Sequence, residues 1–255
     1  MYQLKNYFNR AVFFLNNNIF PSRKKLSTVM IYTTDLCNAR CKHCYIWNKK
    51  PKQSLPLEMI KRIVNSKAIT KNTLIGLEGG EFILHPEYEE ILDFFRTHHP
   101  NFDLLSNCVN TEKLISSVKR YTPKRLFLSL DGGENIHDTI RGIDNLFPKV
   151  IEVIESLKDV VPISVMFTLM PFNNFNDLQV VIDICKKYNI DLRVGIYNNM
   201  EYFDTKEEAS KAQSLNYKIS DIPEEIKDFD ENYDFIALYH NFKNNEVKLP
   251  CYSIR

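Results

Sequence analysis

The sequence predicts an α/β fold with parallel strands, either a partial (β/α)6 TIM-like barrel or an open doubly wound sheet. Short apolar runs suited to strands buried on both faces recur along the chain, separated by longer stretches of helical period. Polar, chemistry-bearing residues stand just after several of these runs. Those are the strand C-terminal ends, where barrels and open α/β sheets alike assemble their sites. At 255 residues, with 44% hydrophobic and 25% charged, the chain is long enough to bury one full core of this kind.

A first strand over 29–34 leads into a cysteine-rich loop, and a helix over 57–67 starts after Pro56, a residue pre-set for helix starts. Strand 73–78 is followed by a helix over 87–98 that opens on Pro86-Glu87. Strand 102–106 gives way to helix 111–120, with Asn110-Thr111 as its start signal. Strand 125–130 precedes helix 147–158, strand 163–169 precedes helix 176–188 headed by Asn176-Asp177, and strand 192–197 ends the alternation. Residues 1–26 are expected to form an N-terminal helical segment, 27–200 the partial barrel, and 201–255, rich in acidic and aromatic residues, a C-terminal helical cover.

Lys and Arg number 33 against 32 Asp and Glu, and a net charge of +1 gives no electrostatic footprint for nucleic acid or an anionic membrane. The apolar residues Phe13, Phe14, Leu15, Ile19 and Phe20 are interrupted by Asn16, Asn17 and Asn18, which fits neither a signal peptide nor a membrane span. A cytoplasmic location is therefore expected, and there the six cysteines are reduced, buried or metal-binding rather than disulfide-bonded.

Cys37, Cys41 and Cys44 form a CxxxCxxC run that offers three thiolates to one small metal centre. Iron-sulfur cubanes are normally held by four thiolates, so three from one loop leave an iron open for another ligand. The same spacing suits one face of a helix, but Asn38, Arg40, Lys42 and His43 leave no apolar stripe for a core helix. Zinc completed by His43 is the other alternative. His43 is adjacent to Cys44, however, closer than zinc ligands are usually spaced. Gly79-Gly80-Glu81 follows the second strand, where paired glycines let the backbone approach a ligand and the carboxylate can accept from an ammonium group. Asn107 ends the third strand. Ser129-Leu130-Asp131-Gly132 ends the fourth, with His137-Asp138-Thr139-Ile140-Arg141-Gly142 a few residues on.

These patches, in this order, resemble the cluster loop, the GGE motif and the SxDG…HDxxRG signature of the radical S-adenosylmethionine (SAM) superfamily, in its SPASM/twitch-like branch. The resemblance covers about residues 27–200 and implies the partial (β/α)6 barrel. It implies a 4Fe-4S cluster on Cys37, Cys41 and Cys44, and SAM held by Gly79, Gly80, Glu81, Asn107, Ser129, Asp131 and Arg141, with His43 near the adenine. Reductive cleavage of SAM to a 5′-deoxyadenosyl radical, hydrogen abstraction from a peptide or small-molecule substrate, and a flavodoxin or ferredoxin type electron donor are the implied activity and partners. The catalytic residues and the substrate are not named by any motif. Phe82 stands where the family often has Pro, and Ser106-Asn107-Cys108 where relatives read Thr-Asn-Gly. Leu249-Pro250-Cys251-Tyr252 resembles the start of a SPASM or twitch extension, with a single cysteine, so an absent or removed extension is expected. Cys185, among Val181, Ile182 and Ile184, is expected to pack in a helix. A non-catalytic zinc or iron-sulfur module acting as a partner-binding scaffold is the rival from another class, and a radical SAM enzyme of tRNA or molybdopterin pathways shares the chemistry but not the substrate.

Overall fold

Residues 26–197 and 218–229, together with Ala11, Val12, Leu15 and Ile19, are described by the computed structural model of the chain. Six strands, β1 (Thr28–Tyr32), β2 (Leu74–Glu78), β3 (Phe102–Ser106), β4 (Arg125–Ser129), β5 (Ile163–Leu169) and β6 (Asp191–Ile196), pair in parallel in the order β1-β2-β3-β4-β5-β6. A doubly wound sheet reverses its strand order at a switch point, and this one never reverses. Successive crossovers of one hand then put the described helices between strands on the same side. The result is a curled half-barrel, and the doubly wound alternative is excluded.

The helices are α1 (Leu57–Val64), α2 (Tyr88–His98), α3 (Thr111–Tyr121), α4 (Glu134–Arg141), α5 (Leu146–Leu157) and α6 (Phe175–Tyr188). Alternate strand residues such as Ile75, Leu77, Phe102, Leu104, Leu126, Leu128, Val165 and Phe167 are fully buried with helix residues including Ile60, Ile91, Leu114, Val150 and Val181. The intervening residues face the concave side, where Met30 and Tyr32 of β1 are 54% and 53% exposed.

The helix starts differ instructively from the expected ones. α6 begins at Phe175, one residue early, because Asn174 is its cap and Asp177 completes a capping box. Glu87 does not cap its own helix through its side chain; its carboxylate instead accepts the Leu57 N–H of α1 at 3.1 Å. α4 is absent from the sequence reading. Its buried positions His137, Ile140 and Arg141 are mostly polar, so no apolar period announces it.

Phe82, in the place of the family's proline, is fully buried in a 3-10 turn, Phe82–Leu84. Cys185 packs in the core as expected. Cys108 is also fully buried, with φ of 65°, a left-handed conformation that favours the glycine relatives have there. Of the C-terminal segment, 218–229 forms two 3-10 turns that send Ile222 and Ile226 into the core, while Cys251 and the rest of the expected cover lie outside the described residues, as does most of segment 1–26. Among the described residues no helix is long and apolar enough to cross a membrane.

Candidate active site at the strand mouth

The cysteine loop leaves β1 and is pinned on two sides by backbone hydrogen bonds. Gly80 N–H donates to the Thr34 carbonyl and Glu81 N–H to the Leu36 carbonyl, both at 2.7 Å, which ties the loop to the Gly-Gly-Glu turn after β2. Arg40 N–H donates to the Arg141 carbonyl at 3.0 Å and Lys42 N–H to that of Ile140 at 2.8 Å, which ties it to the end of α4. Glycine is required at both seams. A Cβ on Gly80 would run into the Leu36 carbonyl, and Gly142, at φ of +66°, would put one 2.9 Å from the Arg40 oxygen.

Lys52 completes the frame. Its ammonium donates to the carbonyls of Asp35 (2.9 Å), Ile46 (2.7 Å) and Trp47 (2.9 Å), closing the loop on itself. No local spacing flags this residue, since its partners are set by the path of the loop.

The three thiols are free, Cys41 buried and Cys37 and Cys44 half-buried. Burial raises all three, Cys41 to about 11, while the neighbouring Arg141 charge pulls each down. Thiols raised in this way stay protonated on their own, and a cationic metal centre is what would bring them to the thiolate form. The Arg141 guanidinium reaches the Cys41 sulfur at 3.8 Å and the Asn107 amide the Cys37 sulfur at 3.9 Å, so N–H donors already face two of the sulfurs. Cluster thiolates accept such bonds. Among the described residues no three His, Cys, Asp or Glu side chains converge as the ligands of a single ion do. The donor set fits a wide cubane bound by three thiolates better than a zinc ion completed by His43. That imidazole is held neutral, its pKa lowered to about 4 by burial and by Arg141, with Nδ1 enclosed and unpartnered.

Glu81 is buried and spans two strands: its carboxylate accepts the Ser106 hydroxyl at 2.9 Å and the Asn107 N–H at 2.8 Å. The Asn107 side chain also donates to Asn38 at 2.9 Å. Burial pushes Glu81 up to about 7 against those hydrogen bonds. Ser129 sits buried at the end of β4.

Asp131 and Arg141 form one ion-paired unit. Arg141 Nε meets Asp131 Oδ2 at 2.6 Å, with His137 Nδ1 accepting the Asp131 N–H at 3.2 Å. Burial alone would raise Asp131, but the guanidinium holds its carboxyl well below the usual carboxylate range. Arg141 therefore links Asp131 to Cys41. The sequence pattern points to a guanidinium free to grip a carboxylate, and the structure commits much of it within the protein.

Two further residues shape the mouth without a sequence signal. Asn173 donates to the carbonyls of Asp131 and Thr168, both at 3.0 Å, stapling the ends of β4 and β5. Tyr197, just past β6, is raised by burial and by its closeness to the Cys44 charge.

A half-barrel whose strand ends gather three thiols, a buried carboxylate and a buried arginine defines an iron-sulfur type of α/β protein. The radical SAM superfamily model matches residues 31–185, more than half of the chain, and the chain belongs to that family. Among curated relatives, the antilisterial bacteriocin subtilosin biosynthesis protein AlbA of Bacillus subtilis (strain 168) is 27% identical over 131 residues, 49% of this chain and 29% of AlbA. A GTP 3′,8-cyclase of Clostridium botulinum is 24% identical over 182 residues, 67% of this chain and 56% of the cyclase. The chain thus spans between under a third and just over half of these relatives. The crystal structure of Streptococcus suis SuiB bound to S-adenosylmethionine shares the fold, with a TM-score of 0.65 at 12% identity over 96% of this chain and 55% of SuiB.

Proposed function

We propose that this chain is the SAM-cleaving half-barrel of a radical SAM enzyme that modifies a peptide. The observation that carries the reading is the cysteine loop itself, locked by backbone bonds to both the Gly-Gly-Glu turn and α4, with donors aimed at its sulfurs. Cys37, Cys41 and Cys44 would hold the 4Fe-4S cluster. When bound, cluster and SAM together supply a 5′-deoxyadenosyl radical that abstracts hydrogen from the substrate.

The chain's own residues supply position. Gly79 and Gly80 bring backbone close to the cofactor's amino group, and the second lone pairs of the Glu81 carboxylate remain to accept from it. Asn107 and Ser129 offer hydrogen-bonding groups to the rest of SAM, and the neutral His43 ring lies beside the loop for the adenine. Arg141, fixed by Asp131, keeps a cation beside Cys41 and has N–H groups left for the SAM carboxylate. The proposed unit runs over 27–200, with 201–255 as its cover. A flavodoxin or ferredoxin type donor would deliver the electron, and a reducing cytoplasm suits the free thiols.

A peptide substrate is favoured by the name of AlbA and by the structure of SuiB bound to its precursor peptide SuiA. The GTP 3′,8-cyclase relative raises a nucleotide instead. The concave face presents the carboxylates of Glu78 and Asp103, which repel a triphosphate.

Anaerobically reconstituted wild-type protein, reduced and given SAM, is expected to release 5′-deoxyadenosine, and Cys41→Ala to release none above background. Equal release from both proteins refutes the reading. A colourless, zinc-loaded protein without release favours the scaffold alternative.

A further inference from the structure

The concave face holds a second set of charged groups, below the strand mouth and separate from the cysteine loop. Glu78, the last residue of β2, points to this face beside Met30, Gly76, Asp103, Leu105 and Phe127, which line one small pocket with it. Gly76 is the register partner of Asp103, and Glu78 lies two residues further along the same strand, so the two carboxylates are diagonal neighbours on one face. The space over Gly76 is taken by the Met30 side chain, whose sulfur a Cβ there would strike, so Met30 packs against the strand beside Glu78.

Among the described residues, neither carboxylate has a cationic hydrogen-bond partner in this pocket. Among the described residues Glu78 receives the Tyr32 hydroxyl from the neighbouring strand, and burial raises its carboxyl despite that bond. Asp103 is 6% exposed, and its Oδ1 is enclosed with no hydrogen-bond partner at all. The charges of Arg125, in register with Asp103, and of Lys124 partly offset its burial, but their hydrogen bonds go elsewhere: the Arg125 guanidinium lies 3.3 Å from both Asp191 Oδ2 and Ser164 Oγ, and the Lys124 ammonium donates to Asn101 at 2.8 Å. Arg193 adds a further bond to Asp191 at 3.0 Å. The β4–β6 side of the floor is thus internally paired, and the β2–β3 side is left with two acceptors and a buried, unpaired oxygen. A buried carboxylate oxygen without a donor is costly, and a ligand bringing two or more N–H groups and a positive charge removes that cost.

We propose that Glu78 and Asp103 form a cation-recognition subsite on the concave face, accepting hydrogen bonds from the ammonium or guanidinium of a lysine or arginine side chain in the peptide substrate. The proposal rests on the peptide-modifying reading above. Glu78 immediately precedes the Gly-Gly-Glu turn, so a residue anchored there lies next to the proposed SAM site. The subsite thereby sets which stretch of the peptide meets the radical. Neutralising either carboxylate is expected to weaken binding of a basic peptide about tenfold, the scale of one hydrogen bond to a charged group.

The test pans a random heptapeptide display library on the cluster-loaded, SAM-bound protein and compares wild type with Glu78→Gln, Asp103→Asn and the double variant. Enrichment of Lys or Arg on wild type, reduced in each single variant and lost in the double, supports the subsite. Lys alone identifies an ammonium pocket and Arg alone a guanidinium one. No basic enrichment on wild type, or enrichment that persists in both single variants, overturns it, and the singles decide if the double variant does not fold by circular dichroism. Nucleoside release by wild-type protein reports separately on the parent reading. A protein that cleaves SAM without basic preference loses only the subsite, and one that selects basic peptides without cleaving SAM loses only the radical chemistry.

Discussion

Glu81 shows how one buried carboxylate serves both fold and site. It staples the β2 turn to the end of β3 through Ser106 and Asn107, and burial pushes its carboxyl from an ordinary 4.5 up to about 7. The folded protein therefore holds this proton more tightly than the unfolded chain, and ionisation subtracts stability as pH rises from about 4.5 through 7. An ammonium group docked against Glu81 acts in the opposite direction, because a nearby positive charge favours the carboxylate. SAM binding should then release a proton, and its affinity should weaken as pH falls below 7, by at most about tenfold per unit. Calorimetric titration of cluster-loaded protein in buffers of different ionisation enthalpy measures that proton. In Glu81→Gln the proton release should fall and the pH dependence below 7 should flatten, any remainder being the proton of SAM's own amino group; a proton release unchanged in Glu81→Gln would assign the amino group to another acceptor.

Among the elements, the cysteine loop depends on contacts remote in sequence. Lys52 binds three of its carbonyls, and replacing it with methionine keeps the chain's bulk but removes every donor. Lys52→Met is expected to lower iron per chain after reconstitution while leaving the helical signal in circular dichroism intact, since Lys52 lies outside the core. Iron analysis beside a far-ultraviolet spectrum checks this, and full iron loading would show that the loop holds its shape without the lysine. The same dependence on long-range contacts explains what the sequence does and does not reveal. The three thiols and Gly79-Gly80-Glu81 are legible because local spacing and residue type are enough to mark them, and five of the six α-helices among the described residues are legible from their apolar period. α4 is hidden because its inward stripe carries His137 and Arg141 facing Asp131, which reads as a polar surface. Lys52, Asn173 and the link from Asp131 through Arg141 to Cys41 acquire their roles only when distant segments meet.

For the molecule as a whole, the decisive feature is that the described helices cover only one face of the sheet. Parallel sheets usually bury both faces, and the near-continuous apolar strands here read that way in the sequence. The strand order instead puts every described helix on the convex side, and the concave side keeps Met30 and Tyr32 more than half exposed beside Glu78 and Asp103. Stability and ligand contact are thereby assigned to opposite faces of the same strands. Two substitutions separate them. Leu126, fully buried on the convex face of the central strand β4, should cost about 2–5 kcal/mol when cut to alanine, through lost transfer energy and the cavity left behind. Met30→Ala, on the concave face of β1 and 54% exposed, should change stability by no more than about 0.5 kcal/mol. Urea unfolding of the two variants measures both. A large loss in Met30→Ala would mean that the concave face is packed in solution, and the open floor that the proposed cation subsite needs would then be closed.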